Sequence, residues 1–278
     1  MRRGLTSVAS VVAALAAATA INAPAAADDD AVTWMVRPSD GVGEDGRSWI
    51  ELELAPGERV EEHLMVRNLS PAAVTFRLTA ADGYFTDGGG FNMLTADDES
   101  VGAGTWITIP ESVEVESGQA AIVPFTVEAP DNATPGDHAA GVAASIRTGG
   151  DDVGIESRVG FRVLTRVKGE LAPRVEASVG GGYEGAANPF KPGRVEVAYT
   201  LADAGNTRLS IQPDVRVSAI FGLVSFSAPG DAVAEIGPGQ SRTGSVEIPA
   251  AWPLGVYSVE VTANASTVGA GAAPEPVA

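Results

Sequence analysis

The chain has 278 residues, room for two domains that each bury a core, and carries 36 acidic against 18 basic side chains, a formal net charge of −18. An acidic excess of this size repels nucleic acid and anionic lipid, which both need basic surfaces, so neither is expected as a partner. The lack of cysteine excludes disulfides, thiol catalysis and thiolate metal sites, while 33 Gly and 18 Pro spread along the chain suit many short strands joined by turns.

Residues 1–27 read as a secretory signal peptide: Arg2 and Arg3 are basic, Val8 to Ala20 is apolar and small, and Ala25-Ala26-Ala27 forms an A-x-A cleavage pattern ahead of Asp28-Asp29-Asp30. The apolar stretch falls short of the ~18–20 residues a membrane span needs, so cleavage is expected and the mature product carries a charge of about −20. In Ser48 to Leu54, Ile50, Leu52 and Leu54 alternate with Trp49, Glu51 and Glu53. In Ala73 to Ala80, Val74, Phe76, Leu78 and Ala80 alternate with Thr75, Arg77 and Thr79. Both read as half-buried antiparallel strands. Further strands are predicted at Val60 to Asn68, Thr105 to Ile109, Ala121 to Glu128, His138 to Arg147 and Ile155 to Val167, with turns at Ala55-Pro56-Gly57-Glu58, Asp87 to Gly90 and Glu116 to Gln119.

A second set follows Lys168-Gly169-Glu170: Arg174 to Val179, Val195 to Leu201, Val215 to Phe221, Ser245 to Pro249 and Tyr257 to Ala263. The halves share a phrase in which a turn feeds a strand that a proline ends: Gly118-Gln119 with Val123 to Val127 and Pro130, and Gly239-Gln240 with Ser245 to Ile248 and Pro249. The expectation is an all-β chain of two tandem immunoglobulin-like β-sandwich domains, 28–168 and 169–265, then a flexible Ala/Gly/Pro tail over 266–278. No apolar run of membrane length follows residue 27, so the mature chain is expected not to span a membrane directly.

Motifs for chemistry are sparse. Gly41-Val42-Gly43-Glu44-Asp45-Gly46 matches G-x-G-x-x-G, but a strand follows it where a helix should, and Glu44 and Asp45 repel phosphate, so it reads as a turn. His63 and His138 lack metal-ligand spacing and read as strand-surface imidazoles, and the acidic runs Asp97-Asp98-Glu99 and Asp151-Asp152 lack a calcium-loop pattern. There is no G-x-S-x-G, so neither an enzyme nor a cofactor is expected. Asn68-Leu69-Ser70, Asn132-Ala133-Thr134 and Asn264-Ala265-Ser266 read as surface turns, and Trp34, Trp49, Trp106 and Trp252 as core or core-edge residues. The stretch Tyr84 to Asn92 places Tyr84, Phe85, Phe91 and Asn92 around a Gly-rich turn. Such aromatics either stack on a sugar ring or a protein partner, or cap the sandwich core.

Val36-Arg37-Pro38, Ile50 to Leu54, Ala55-Pro56-Gly57, Leu64 to Ser70, Val74 to Thr79, Asp82-Gly83 and Ile107 to Val127 resemble the peptidoglycan-binding domain of WxL-interacting proteins. Ala204-Gly205-Asn206, Val217 to Gly222 and Trp252 to Val261 are similar in layout to the domain that follows it in that family. The resemblance spans roughly residues 32–265. It implies a secreted, cell-surface or cell-wall-associated protein that binds peptidoglycan through the first domain and a surface or host protein through the second. The family's C-terminal transmembrane helix has no counterpart in these residues. An extracytoplasmic chaperone or assembly factor that lends an open sheet edge to a client by β-augmentation is the alternative.

Overall fold

In the run Val74 to Leu78, Phe76 and Leu78 are buried while Thr75 and Arg77 face solvent, as a period of two demands of a half-covered strand. The computed structural model describes residues 32–95, 98–149, 154–185, 190–269 and 276–277. The expected leader, Asp28 to Asp30, Asp97, Asp151-Asp152 and residues 270–275 and 278 of the expected tail lie outside the described residues.

The fold is all-β, two tandem immunoglobulin-like sandwiches. One sheet of the first holds β1 (Trp34–Ser39), β3 (Arg59–Asn68), β8 (Ala120–Glu128) and β6 (Ile107–Thr108), in that spatial order. The other runs from β2 (Ile50–Leu54) through β10 (Gly154–Val167), β9 (Gly136–Gly149) and β4 (Val74–Phe85) to β5 (Phe91–Met93), with β7 (Ser112–Val115) also on β4. Its ladders are antiparallel except β2 on β10, which is parallel and covers only Val163 to Val167. Ile50, Leu64, Phe76, Phe125, Val142 and Val163 close the core between the two sheets.

The second sandwich pairs a sheet of β11 (Val175–Glu184), β12 (Gly193–Asp203) and β16 (Ser241–Ala251) with one of β14 (Val224–Pro229), β13 (Leu209–Ala219), β17 (Tyr257–Thr267) and β18 (Pro276–Val277). A further strand, β15 (Val233–Ile236), pairs with β13. Val195, Val197, Tyr199 and Leu201 alternate inward from β12 to meet Leu209, Ile211, Val215 and Val217 of β13. The described residues from Thr33 onward form one compact unit, so the two sandwiches are packed together.

Several expectations are corrected. Ala103–Trp106 is a 3-10 turn and only Ile107–Thr108 is strand, because the backbone wraps the Asp82 carboxylate, which accepts the N–H groups of Val101, Gly102 and Gly104 at 2.8, 2.8 and 2.6 Å. The strand expected at Val215 to Phe221 instead runs from Leu209 to Ala219, and Ile220 and Phe221 form a turn. Asn68 is no surface acceptor. It is fully buried, donating to the carbonyls of Ala72 and Val115 at 2.7 and 2.9 Å and accepting from Ser70 N–H. Trp34 packs on Phe76 and Trp106 is half-buried, but Trp49 and Trp252 are exposed. Gly41 to Gly46 is a turn closed by the Asp40 carboxylate on Val42 and Gly43 N–H, as its sequence context implied.

The turn of the shared phrase is a repeated local structure, although Pro249 does not end its strand, which runs on to Ala251. Gln119 and Gln240 each follow a glycine of positive φ and close a turn, onto Glu116 and Gly237 respectively. Their carbonyls accept the N–H of Asn68 in one sandwich and of Asp203 in the other, at 3.0 and 2.9 Å. The equivalence extends one bond further, since Asn68 Oδ1 accepts from Ser70 N–H and Asp203 Oδ1 from Gly205 N–H, both at 2.9 Å.

Candidate functional site

The two sandwiches meet on charge. At the start of β9, Asp137 is buried and accepts two parallel bonds from Arg166 of β10, at 2.7 and 2.8 Å. Its Oδ2 also accepts from the Thr207 hydroxyl and the Arg208 N–H of the second sandwich, both at 2.7 Å. Arg208, itself buried, reaches Glu235 at 2.5 Å and Glu51 at 3.1 Å, and Arg162 of β10 reaches Glu235 at 2.8 Å while lying 4.3 Å from the centre of the Trp49 ring. Burial alone would raise the Asp137 carboxyl. The Arg166 bonds, with Arg208 N–H and the Thr207 hydroxyl, outweigh it and hold the group below the ordinary carboxylate range, while Asp137 raises Arg166 in turn. The buried Asp137 carboxylate is therefore paired and saturated with donors, which is what makes its burial tolerable, while Arg208 Nε is buried without a hydrogen-bond partner.

The chain crosses this junction closely. Asp137 N–H donates to the Asn206 carbonyl at 2.7 Å, and the Asn206 side chain ties Pro135, Glu170 and Ala172 together. Gly136 has a φ of +124°, and a Cβ there would collide with the Asn206 main chain. A cleft of about 440 Å³ opens beside the contact, lined among others by Asp82, Phe85, His138, Asn206, Arg208 and Gln240.

The four residues singled out by sequence are divided by this arrangement. Phe85 is 3% exposed and belongs to the junction: its N–H donates to Gln240 Oε1 at 3.3 Å and its carbonyl accepts from Arg242 at 2.9 Å. Phe91 is half-buried, edge-on to Phe85 with ring centres 5.8 Å apart, Asn92 is exposed, and Tyr84 is exposed. Phe91 and Asn92 line a cleft of about 190 Å³ with Met93, Ala143, Arg158, Gly160 and Phe161, where β5 folds over β9 and β10. Arg158 fastens that fold, donating to the carbonyls of Leu94 and Met93 at 2.7 and 3.0 Å.

Two features escaped the sequence reading. The first is an edge. β10 pairs with β9 along its length but with β2 only at Val163 to Val167, so Glu156 to Arg162 have no strand on their outer side among the described residues. Val159, at the middle of this stretch, is 37% exposed. The second is an aromatic shelf, where Trp106 and His138 lie with ring centres 4.7 Å apart in a cleft of about 560 Å³ that Thr105, Thr108, Glu128, Asn132 and Thr134 also line. His138 bonds the Thr134 carbonyl at 2.8 Å, and no group of three or more His, Asp or Glu able to hold a metal occurs among the described residues.

No protein-family model matches the sequence, and no curated protein matches it. Among solved structures, the chain is similar to one from the Salmonella enterica SafA pilin in complex with the SafB chaperone, with 10% identity, a TM-score of 0.39 and coverage of 83% of this chain and 96% of that one. It is similar also to the YadV chaperone (10%, TM-score 0.36, 88% and 98%) and the Pseudomonas aeruginosa CupB2 chaperone (11%, TM-score 0.35, 78% and 97%). No helix among the described residues is long and apolar enough to cross a membrane.

Asp203 gives this junction a pH response. It occupies the place that Asn68 takes in the first sandwich, but its Oδ2 is buried without a partner where the asparagine presents its NH2 group. Desolvation by burial, with a smaller push from Asp137, raises the carboxyl to about 6 from 3.8. A carboxyl raised by folding contributes stability at low pH that is lost as pH rises through about 6. Asp203→Asn, which restores the donor, is expected to stabilise the protein by about 2 kcal/mol at pH 7.5 and by close to nothing at pH 4. Urea melts of both proteins across that range check this, and parallel stability curves would contradict it.

Proposed function

We propose that this chain is an extracytoplasmic protein-binding module that takes up an extended segment of a partner polypeptide along the outer edge of β10. The observation that carries the reading is the interrupted cover of that strand, paired by β2 at Val163 to Val167 and bare of any strand from Glu156 to Arg162 among the described residues. An exposed edge presents alternate N–H and C=O groups ready to pair, a hazard that most folds suppress. Here the edge carries Val159 at its middle, with Glu156 as an exposed charge at its start. Arg158 and Arg162 are engaged elsewhere, on the Leu94 and Met93 carbonyls and on Glu235, so they hold the strand in place without guarding its edge. A chaperone or assembly factor that holds a client strand is the biological form of this chemistry.

In this reading the junction has a mechanical part. Arg162 and Arg166 lie on β10 itself and reach Glu235 and the Val268 carbonyl of the second sandwich, so that sandwich braces the strand against which a partner would add. A stiff edge loses less conformational entropy on pairing than a mobile one. With Val159→Asp, capture of an exported partner polypeptide is expected to fall at least about tenfold, since a desolvated charge at the ladder costs more than 1.4 kcal/mol. Hydrogen exchange in the wild-type complex is expected to slow at Glu156 to Arg162. Unchanged capture by the variant, or protection elsewhere with none on β10, would sink the proposal.

A second reading, attachment to peptidoglycan, is favoured by the Trp106–His138 shelf, where an aromatic face stands among the hydroxyl and amide groups of Thr105, Thr108, Asn132 and Thr134. It accords with the resemblance to WxL-interacting proteins. Cosedimentation of the protein with cell-wall sacculi, lost in Trp106→Ala and kept in Val159→Asp, is the expected result. Sedimentation indifferent to Trp106 would remove the shelf from that role.

A further inference from the structure

At the far end of the second sandwich the turn between β13 and β14 has an unusual make-up. Ile220, Phe221 and Gly222 have φ angles of 50°, 54° and 87°, and Gly222 N–H bonds the Ala219 carbonyl at 3.1 Å. Positions of positive φ ordinarily take Asn or Gly, and a β-branched residue is the least suited to one. The strained conformation puts Phe221 at 108% and Leu223 at 83% of full exposure. Backbone strain that persists around exposed apolar side chains points to a use for them.

A second loop ends at the same place. β13 pairs with β17 so that Ala219 lies opposite Tyr257, which brings the loop Trp252 to Val256 beside the turn. Trp252 is 46% and Val256 87% exposed, and the Trp252 carbonyl is held by the Tyr257 hydroxyl. Neither the run Ala219 to Ser225 nor the run Pro249 to Ser258 contains a charged residue, in a chain of net charge −18. Strand register puts Glu184, Arg194, Glu196 and Glu247 at this end too, with Lys191 close by in sequence, and these five carry a net charge of −1 together.

We propose that this tip inserts into the surface of an electrically neutral lipid bilayer. The tip is convex, made of turn apices, and so suits a deformable apolar medium. A second copy would bring a second whole chain of net charge −18 close to the first. The uncharged loops above a collar of mixed charge match a zwitterionic headgroup layer, and a half-exposed Trp beside fully exposed aliphatic and aromatic side chains is the composition that partitions at that depth. The acidic remainder of the molecule keeps anionic bilayers away.

Phosphatidylcholine vesicles test this with the purified protein. Cosedimentation is expected, with quenching of tryptophan fluorescence by brominated acyl chains that is lost in Trp252→Phe. Replacing Ile220 by Asn together with Phe221 by Gly is expected to lower partitioning at least about tenfold, the worth of one buried large side chain. The same pair relaxes the turn, so its Tm is expected to equal or exceed that of the wild type, which separates lost binding from lost folding. Absence of wild-type partitioning overturns the proposal, as does undiminished partitioning of the double variant. A concentration-dependent dimer that the double variant abolishes, with vesicles left unbound, overturns it in favour of a second copy.

Discussion

Asp137 is a carboxylate inside the protein with four donors on it, two from the Arg166 guanidinium and one each from the Thr207 hydroxyl and the Arg208 main chain. Two of those donors belong to the first sandwich and two to the second, so the charge is satisfied only when the sandwiches are together. Arg208 extends the same logic, since its guanidinium is nearly inaccessible and its partners Glu51 and Glu235 come from different sandwiches. Removing one member of such a cluster leaves another buried and uncompensated, which costs far more than the intact pairs contribute. The geometry of the junction follows, including Gly136, which no side chain can replace against Asn206.

The junction also sets the two sandwiches against each other in pH. Asp137 is held ionised, so its stabilisation is present at neutral pH and lost on acidification. Asp203, with an orphaned buried oxygen, behaves in the opposite sense. The repeat of local structure between Asn68 and Asp203 isolates the cause: the same turn and the same Oδ1 bond are kept, and only the donor of the second side-chain atom differs.

Most of the fold was legible because its strands are half-buried. Where one face is wet, polarity alternates, and Val74 to Leu78 and Val195 to Leu201 follow the rule residue by residue. The rule fails where a local polar group takes over the backbone, as Asp82 does at Ala103 to Trp106, and where a strained turn is built from apolar residues, as at Ile220-Phe221. Asn68 misled because a glycosylation pattern and a buried capping amide share their spelling. The candidate site was less legible. Tyr84, Phe85, Phe91 and Asn92 were marked by composition, and their neighbours divide them between the junction, a small cleft and solvent. The β10 edge has no composition of its own: it exists because β2 stops short, which is a matter of register.

If the Asp137 cluster makes the two sandwiches one cooperative body, scanning calorimetry of the wild type should give a single transition, and Asp137→Ala should split it into two. Two separate transitions in the wild type, or one unchanged transition in the variant, would contradict the account.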